Sequence, residues 1–296
     1  MNALIFFMII LGVIIMVTNI YRYYRLIIGS SDVLSSSRTN DRMWENIALL
    51  LLIFFLLGYI LVAAYGKPDI IIACILFGGS VFVSIVLSVM NRLVNTIKVN
   101  ALSIAEALIG VVDARDPNLK GHSHYVKNIA MVFYDYIPPE KRGSLNKISL
   151  EFAALMHDVG KLGIPEEILN KPSSLTADEW EIMRKHPSLG VQIMKPLNSL
   201  NEILPWIEYH HEKIDGTGYY KKTADEIPYP AKILAIADTY SAITMRRSYK
   251  PPRSYEEAAG IMKEVAGTQL DKELVDIFLS IPKEELEKCI PEDVDA

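Results

Sequence analysis

Three long apolar segments occupy the first third of the chain. Residues 1–21, 46–66 and 70–91 carry no charged side chain, and each approaches the ~20 residues with which an α-helix crosses a bilayer. Because Arg22 and Arg25 follow the first segment rather than precede it, a cleaved signal peptide fits poorly. A buried core helix is the alternative for any single segment, but three in succession, separated by short polar gaps, predict three transmembrane helices.

The basic residues around these segments predict their orientation. Four arginines lie in the loop after the first segment, and Arg92 and Lys98 follow the third, whereas the turn at residues 66–69 contains Lys67 alone. In membrane proteins the cytoplasmic loops carry the excess of basic residues. We therefore expect a multi-pass protein of the cell membrane, with its N-terminus outside and residues 92–296 in the cytoplasm.

A heptad pattern of apolar residues continues out of the third segment. Steps of three and four residues separate Leu87, Met90, Val94, Ile97, Ala101, Ile104, Leu108 and Val111. This spacing is typical of the seam of a coiled coil. Two interpretations stay open for the connecting helix at residues 92–115, which follows a membrane domain at 1–91. It forms a parallel homodimer, or it packs as an amphipathic helix on its own domain.

The remaining chain shows helical patterns separated by turns. Asp116-Pro117 marks a helix break, and residues 233–243 are apolar at helical spacing. Further helix starts are indicated by the capping-box pair Thr176 and Glu179 and by Pro165 and Pro187. Since no alternating strand pattern occurs, we predict an all-α protein in which transmembrane helices precede a cytoplasmic helical bundle. Acidic residues dominate from Asp271, and we expect a peripheral, solvated tail there, with residues 281–296 outside the folded domain.

The charge and the cysteines narrow the classes of function. A net charge of −5 gives no reason to expect a nucleic acid polymer as a partner. The two cysteines, Cys74 and Cys289, form no CxxC site and no disulfide framework, which suits a protein whose main part lies in the reducing cytosol.

All six histidines lie in the predicted cytoplasmic part. His157 and Asp158 form one adjacent pair, and Gly160 would end a helix there and leave the pair at an exposed rim. His210 and His211 form another pair, just before a turn-rich segment. Neutral imidazoles and carboxylates are ligands of transition metals. A lone histidine is more often an ordinary core or surface residue, but this combination favours a metal site.

Asp238 directly follows five apolar residues, 233–237, in a predicted helix. A buried carboxylate without a partner is costly, so Asp238 requires a cation or strong hydrogen-bond donors. A metal ion meets this requirement, and a salt bridge to a lysine or arginine is the alternative. The histidines elsewhere in the chain favour the metal.

Together these residues resemble the HD-GYP family of the HD phosphohydrolase superfamily, whose members hydrolyse the bacterial second messenger cyclic di-GMP. The likeness covers residues 105–280, which we expect to form an HD-GYP-like catalytic domain. In chain order its motifs are Asp116-Pro117, Gly121-His122-Ser123, His157-Asp158-Val159-Gly160-Lys161, Leu169-Asn170-Lys171-Pro172, Leu175-Thr176, His186-Pro187, His210-His211-Glu212, Asp215-Gly216-Thr217-Gly218-Tyr219, Ile227-Pro228, Ala237-Asp238 and Arg247-Ser248-Tyr249-Lys250. Such a collinear match is stronger evidence than any one motif.

The resemblance implies a centre of two divalent transition-metal ions. Histidine and carboxylate ligands suit iron, manganese, cobalt or zinc, and of these we expect iron or manganese. One ion would take His122, His157 and Asp238, and the other His186, His210 and His211, with Asp158 bridging. Asp158 and Lys161 would serve catalysis, with Lys161 neutralising the scissile phosphate. The resemblance further implies that the substrate is contacted by Lys161, Gly216, Gly218, Tyr219, Arg247 and Lys250. A solvated basic face is the alternative for Arg247 and Lys250, and His124 stays unassigned.

Several positions depart from the family pattern. Tyr220 stands where the family has a proline, which would hold Tyr219 in an extended conformation, so we expect the loop to lose that restraint. Residues 221–226 also lack the usual glycines. Ser241 replaces an aspartate, and Asn118 replaces the glutamate of members with a third metal. Because of Asn118 we expect two metals rather than three, and none of these changes removes a proposed metal ligand.

Three hypotheses for function follow from these residues. The leading one is a membrane-anchored phosphodiesterase that opens cyclic di-GMP to linear pGpG, with further hydrolysis to GMP left open. The second is a non-catalytic module that binds the nucleotide or docks a protein partner through the Gly218-Tyr219-Tyr220 loop. The third is an HD phosphohydrolase that acts on another nucleotide.

Overall fold

The computed structural model describes residues 2–30, 38–66, 69–115, 121–197, 200–245 and 252–291. Over these ranges the backbone is mainly helical, and an isolated β-bridge joins Ala266 to Leu270. The prediction of an all-α protein is confirmed. The chain divides into two compact units, Met1–Ala101 and Leu102–Ala296.

The helices are numbered in chain order. The first unit contains α1 (Asn2–Ser30), α2 (Arg38–Tyr65) and the larger part of α3 (Ile70–Arg115). The second unit contains the rest of α3, followed by α4 (His122–Tyr136), α5 (Pro139–Arg142), α6 (Lys147–Met156), a 3₁₀ helix (Val159–Gly163), α7 (Glu166–Leu169), α8 (Ala177–Met183), α9 (His186–Met194), α10 (Leu204–Glu208), α11 (Tyr229–Thr244), α12 (Tyr255–Val265), α13 (Lys272–Phe278) and α14 (Lys283–Glu287).

Helices α1, α2 and α3 each contain a segment long and apolar enough to cross a membrane, namely Ala3–Ile27, Asn46–Tyr65 and Ile70–Ile97. Polar side chains connect these helices. Asn19 on α1 donates to the carbonyl of Ser80 on α3 over 3.0 Å, and the Tyr59 hydroxyl on α2 donates to the carbonyl of Leu76 on α3. In an apolar environment such hydrogen bonds help to hold neighbouring helices together.

Helix α3 presents two different faces between Met90 and its last residue, Arg115. Ala105, Ile109 and Val112 are buried, so the last turns of the helix do pack on their own domain. Only part of the predicted coiled-coil seam lies on the other, exposed face, since Leu87 is buried and Val94 and Leu108 are half-buried. There, one position in each heptad is at least 42% exposed, at Met90, Ile97, Ile104 and Val111.

The last residue of α3 attaches this helix to the 3₁₀ helix. The Arg115 guanidinium donates to the carbonyl oxygens of Leu162 and Ile164, at 2.5 and 3.1 Å. Asn170 Nδ2 in turn donates to the carbonyl of Arg115 at 2.9 Å. The helix thus ends where the sequence predicts a break at Asp116-Pro117, two residues that lie outside the described ranges.

The core of the second unit lies between α4, α6, α11 and α13. Ile129 and Phe133 of α4 and Ile236 of α11 are fully buried, and the Phe133 ring meets that of Phe278 on α13 edge-on, with centroids 5.1 Å apart. Apolar residues at helical spacing turn one face of each helix inward. Because α4 and α11 carry proposed metal ligands and His157 and Asp158 directly follow α6, the packing of these helices positions the site.

The turn after α6 is buried, whereas the sequence predicted an exposed rim. Helix α6 ends at Met156, and the next two residues, His157 and Asp158, are only 1% and 2% exposed. Gly160 does not end the helix but lies in the 3₁₀ helix. A Cβ atom at Gly160 would lie 1.8 Å from the carbonyl oxygen of His186, so the absence of a side chain lets α9 approach and cover the turn.

The acidic segment from Asp271 is folded as far as the structure describes it, to residue 291, although its charge predicted a solvated tail. Val275 of α13 and Leu286 of α14 are buried. Asn128 on α4 donates to the carbonyl of Cys289 at 2.9 Å. The apolar residues of the segment share one face of each helix, so the acidic residues remain in solvent while the segment packs.

We expect Gly160→Ala to destabilise the second unit by about 3 kcal/mol or more, because the new methyl group would meet backbone atoms of α9. Gly260→Ala is the matched control. A Cβ atom there meets nothing within 4 Å, and alanine favours a helix by about 0.5–1 kcal/mol over glycine. Denaturant unfolding of both variants measures the difference, and equal stabilities would contradict the close contact between Gly160 and α9.

Candidate metal centre

The predicted ligands come from separate helices that meet at one place. His122 and His186 begin α4 and α9, respectively. The pairs His157-Asp158 and His210-His211 follow the ends of α6 and α10, and Asp238 lies within α11. The core packing of these helices, together with the contact between the 3₁₀ helix and α9, sets the distances between the ligands.

The Asp158 carboxylate lies at the centre of this arrangement. Its Oδ2 is 3.3 Å from His157 Nε2 and 3.6 Å from His122 Nε2. Its Oδ1 is 3.2 Å from His186 Nε2. The two oxygens therefore face different histidines, which is the arrangement required of a carboxylate shared between two ions.

The ligand atoms form two groups that share Asp158. In the first group, atoms of His122, His157 and Asp158 lie within 4.8 Å of one another, and in the second, those of Asp158, His186, His210 and His211 do. Asp238 adjoins the first group, with its Oδ1 3.2 Å from His122 Nε2. The structure thus brings all seven predicted residues together, and metal binding by them stays a prediction.

Backbone carbonyls fix the tautomer of three imidazoles. Nδ1 of His157, His186 and His210 lies 2.8, 2.9 and 2.6 Å from the carbonyl oxygen three residues earlier. Because a carbonyl oxygen only accepts hydrogen bonds, Nδ1 donates and carries the proton. When such a ring is neutral, its Nε2 atom presents a lone pair to the ligand groups, which is the form of histidine that binds metal.

Four polar atoms of these groups are buried without a hydrogen-bond partner. They are Nε2 of His157, His186 and His210 and Oδ1 of Asp158. Each such atom costs about 1–3 kcal/mol when it stays unpaired, and native proteins contain few of them. Imidazole lone pairs and a carboxylate oxygen are all satisfied by a cation. The residues present therefore fit divalent transition-metal ions.

Burial favours the neutral form of several imidazoles. It lowers the pKa of His122, holds the pKa of His210 well below its usual value, and lowers the pKa of His211 to about 3. Burial acts in the same direction on His157, but the adjacent Asp158 carboxylate outweighs it and raises the pKa of His157. Near pH 7, His122, His210 and His211 are therefore uncharged and have lone pairs available for a metal.

The two aspartates of the site are ionised. Burial by itself would raise the pKa of Asp158, but the Lys161 ammonium and the neighbouring imidazoles hold it well below its usual value. His122 likewise outweighs burial and lowers the pKa of Asp238. Lys161 Nζ lies 2.6 Å from Asp158 Oδ2. A positive charge therefore already accompanies one oxygen of the shared carboxylate.

Ser241 supports His122, a role that the sequence did not reveal. The Oγ atom of this fully buried serine lies 3.0 Å from His122 Nδ1. It thereby orients the ring so that Nε2 faces Asp238 and Asp158. Ser241 lies three residues after Asp238 on α11, so helical spacing places both on one face. Two features of the sequence could have indicated this role of Ser241: its spacing from Asp238 and its place where the family has an aspartate.

A cleft of about 770 Å³ adjoins the ligand groups. Its lining includes Lys161 and Tyr219, and also Ile168, Leu169, residues 171–175, Trp180 and Met183. The Tyr219 ring centroid lies 4.7 Å from that of His211. Burial raises the pKa of Tyr219 to about 12, so its hydroxyl keeps the proton at neutral pH.

The loop after His211 is held by Glu212. Both oxygens of this buried carboxylate accept backbone N–H groups, from Tyr220 and from Lys222, each at 2.7 Å. The sequence predicted that replacing the family's proline would release the loop. Instead, the N–H group that a proline lacks forms part of the restraint. Lys221, between the two donors, has a φ of 57°, a conformation that favours glycine.

Two glycines of the same loop have structural reasons for their place. Gly216 has a φ of 77°, and a Cβ atom on Gly218 would lie 2.6 Å from the Cα atom of Glu212. They shape the loop that presents Tyr219. Arg247 and Lys250, the other predicted substrate contacts, lie outside the described residues, as does Asn118.

The fold and the site together define a helical protein whose histidines and aspartates converge on a shared carboxylate. Residues 106–274 match the HD domain family, and the chain belongs to that family. Within this region, each histidine proposed as a metal ligand lies at the start of a helix or just after the end of one, whereas Asp238 lies within α11.

Three relatives are similar over this region. The chain is 36% identical over 196 residues to a probable cyclic di-GMP phosphodiesterase of Vibrio cholerae, covering 60% of this chain and 43% of the relative. It is 41% identical over 138 residues to a cyclic di-GMP phosphodiesterase of Thermotoga maritima, covering 46% and 38%. It is 36% identical over 172 residues to 3'3'-cGAMP-specific phosphodiesterase 3 of Vibrio cholerae, covering 57% and 36%. The chain thus spans about two fifths of the length of these relatives.

We expect Tyr220→Pro to destabilise the loop by about 2 kcal/mol, because the substitution deletes a donor to the buried Glu212 carboxylate. Tyr220→Phe is the matched control, since it keeps the N–H group. Thermal unfolding of the full chain in detergent compares the two variants. A proline variant as stable as the phenylalanine variant would show that the hydrogen bond to Glu212 does not restrain the loop.

Proposed function

We propose that the chain is a membrane-anchored, metal-dependent phosphodiesterase that hydrolyses cyclic di-GMP to linear pGpG, with GMP as the product of a second cut. The observation that carries this proposal is the Asp158 carboxylate, shared between two groups of histidines whose buried Nε2 atoms include several without a partner. Two relatives named as cyclic di-GMP phosphodiesterases support the choice of substrate.

The two ligand groups would hold two divalent transition-metal ions, iron or manganese. His122, His157 and Asp238 would hold one ion, His186, His210 and His211 the other, and Asp158 both. When bound, such a pair lowers the pKa of a water molecule and stabilises charge on phosphate oxygens. The neutral imidazoles of His210 and His211 and the ionised Asp158 already have the protonation states that metal binding requires.

The proposed reaction adds water across one phosphodiester bond. A hydroxyl group from water joins the phosphorus, the bond from phosphorus to the ribose 3′ oxygen breaks, and that oxygen takes the proton. We assign to Lys161 the neutralisation of the scissile phosphate, because Lys161 lines the cleft beside Asp158. Contacts with the rest of the substrate are assigned to Tyr219, which lines the same cleft, and to Gly216, Gly218, Arg247 and Lys250.

The location and partners of the chain also belong to the proposal. The apolar segments of α1, α2 and α3 support attachment to the cell membrane. The arginines that follow α1's apolar segment support a cytoplasmic position for the second unit and an outer position for the N-terminus. The exposed ring of Tyr220, in the Gly218-Tyr219-Tyr220 loop, supports the docking of a protein partner there.

A homodimer through α3 is supported by the exposed part of the predicted seam. Met90, Ile97, Ile104 and Val111 follow one another at intervals of seven residues and are all exposed. Two parallel helices pair through an apolar stripe of this period. A second copy of α3 would cover the stripe, while Ala105, Ile109 and Val112 keep the helix attached to its own domain.

A second candidate substrate is 3'3'-cGAMP, favoured by the third relative. Cyclic di-GMP and 3'3'-cGAMP both contain a ring closed by two phosphodiester bonds, so the same ligand groups and Lys161 would serve either. They differ in one base. A non-catalytic binding module would take up the nucleotide in the same cleft and leave it uncut.

We expect the full chain in detergent to bind about two transition-metal ions and to hydrolyse cyclic di-GMP. Asp158→Ala should lose both ions and all measurable hydrolysis, because Asp158 belongs to both groups. His124→Ala is the matched control, since this half-buried histidine is in neither group. Metal analysis and chromatography of the nucleotides measure the two outcomes.

The same experiment separates the alternatives. A metal-loaded chain that binds cyclic di-GMP without cutting it would establish the binding module and end the proposal of hydrolysis. A chain that cuts only 3'3'-cGAMP would correct the substrate. Metal retention by Asp158→Ala would contradict the proposal that the Asp158 carboxylate is shared between the two metal ions.

We expect Ile104→Cys to form a disulfide cross-link between two copies of the chain under mild oxidation, because seam positions of a parallel pair lie opposite each other. Glu106→Cys is the control, since this position is also exposed but lies off the seam. Non-reducing electrophoresis of membranes containing each variant measures cross-linking. Equal cross-linking of both variants would count against pairing through the seam.

A further inference from the structure

Trp180 is a large aromatic side chain left in solvent. It is 44% exposed, which is more than any other large apolar residue that the structure describes after α3. Burying the indole in the core would have stabilised the fold, since a tryptophan contributes a large apolar area. The other described tryptophan of the second unit, Trp206, is buried. The position of Trp180 therefore requires an explanation outside the core.

The indole lines the cleft beside the metal centre. Trp180 and Met183 both belong to its lining and lie three residues apart on one face of α8. The carbonyl of Met183 accepts the Nδ1–H of His186 at 2.9 Å. The backbone that carries the indole thus also orients a proposed metal ligand, so the distance between the indole and the metal centre is set by one short helix.

The structure around Trp180 is already ordered. A capping box between Thr176 and Glu179 fixes the start of α8. The Glu179 carboxylate also accepts from Lys171 Nζ at 2.5 Å, which attaches the segment before the helix. A ligand that contacts the indole therefore pays little of the ordering cost of binding.

The side chains that line the cleft are of two chemical kinds, charged and uncharged. Of the lysines in its described lining, Lys161 accompanies Asp158, and Lys171 is paired with Glu179. The ligand groups and Lys161 are suited to phosphate. The wall at Trp180 offers an aromatic face and the exposed hydroxyl groups of Ser173 and Ser174, which are suited to the uncharged part of a nucleotide.

We propose that the indole of Trp180 is the platform on which a purine base of the substrate stacks while the phosphate lies at the metal centre. This inference rests on the proposed function, because it takes the cleft to hold a cyclic dinucleotide. Every base has a π-face, so a stacking contact supports binding without reading the edge of the base. Trp180 therefore contributes equally to cyclic di-GMP and to 3'3'-cGAMP, and the choice between them is made elsewhere.

The test compares Trp180→Ala, Trp180→Leu and Trp180→Phe in the full, metal-loaded chain. GMP is the equilibrium probe, because it has a base and a phosphate but no phosphodiester bond to cut. Loss of the stacked face should weaken GMP binding and raise KM for both cyclic dinucleotides by about 5- to 150-fold in the alanine and leucine variants. Phenylalanine should restore most of the affinity, and kcat and metal content should stay close to those of the wild type.

A fluorescence measurement isolates the indole itself. The chain has 3 tryptophans, so the difference in emission between wild type and Trp180→Phe reports on residue 180. GMP should quench this difference signal in the wild type. The stacking contact would be overturned if GMP caused no quenching. It would also be overturned if the alanine and leucine variants bound GMP as tightly as the wild type does. A phenylalanine variant that binds no better than leucine would overturn it as well, since bulk alone would then suffice.

The outcomes also distinguish this inference from the function on which it rests. A wild-type chain that cuts cyclic di-GMP while Trp180→Ala has an unchanged KM contradicts the platform alone. A wild-type chain that neither cuts a cyclic dinucleotide nor binds GMP contradicts the proposed function itself. Loss of metal by Trp180→Phe as well as by Trp180→Ala would assign the indole to the stability of α8 and overturn its role in binding.

Discussion

The buried carboxylate of Asp158 is the constraint on which the second unit depends. A charge held at 2% exposure is stable only if cations and donors replace the water that it has lost. Lys161 meets part of this need at Oδ2. The remaining oxygen lies 3.2 Å from Nε2 of His186, whose Nδ1 donates to a backbone carbonyl. When this ring is neutral, its Nε2 has a lone pair and no proton to donate. Imidazoles and carboxylate in this arrangement repel unless a cation lies among them, and the packing of five helices maintains it.

Contacts with the backbone determine how precisely the proposed metal ligands are positioned. Three imidazoles are oriented by the carbonyl of a residue three positions earlier, so the end of a helix determines both the tautomer and the direction of the ring. The contact of Gly160 with α9 then sets the distance between the two ligand groups. Short connections of this kind leave the side chains little freedom, which lowers the entropic cost of holding a metal.

The family's named proline shows how one restraint can replace another. In this chain Tyr220 donates its N–H to Glu212, and Lys222 donates to the other oxygen of the same carboxylate. The loop therefore remains held next to His211, and Tyr219 still reaches the cleft. Sequence comparison detects the missing proline but not its replacement, because the acceptor lies eight residues earlier and is identified only by its contacts.

The sequence by itself determined the three apolar helices and the all-α class, because periodicity is a property of the local chain. The seven residues of the candidate site came from the resemblance to a family together with side-chain chemistry, and metal binding by them stays a prediction. The sequence misjudged the burial of His157-Asp158 and of the segment after Asp271, since burial depends on what another part of the chain covers. Only the tertiary structure decided that the two oxygens of Asp158 face different histidines and that Ser241 supports His122. The latter contact joins residues 119 positions apart, and such distances are set by packing.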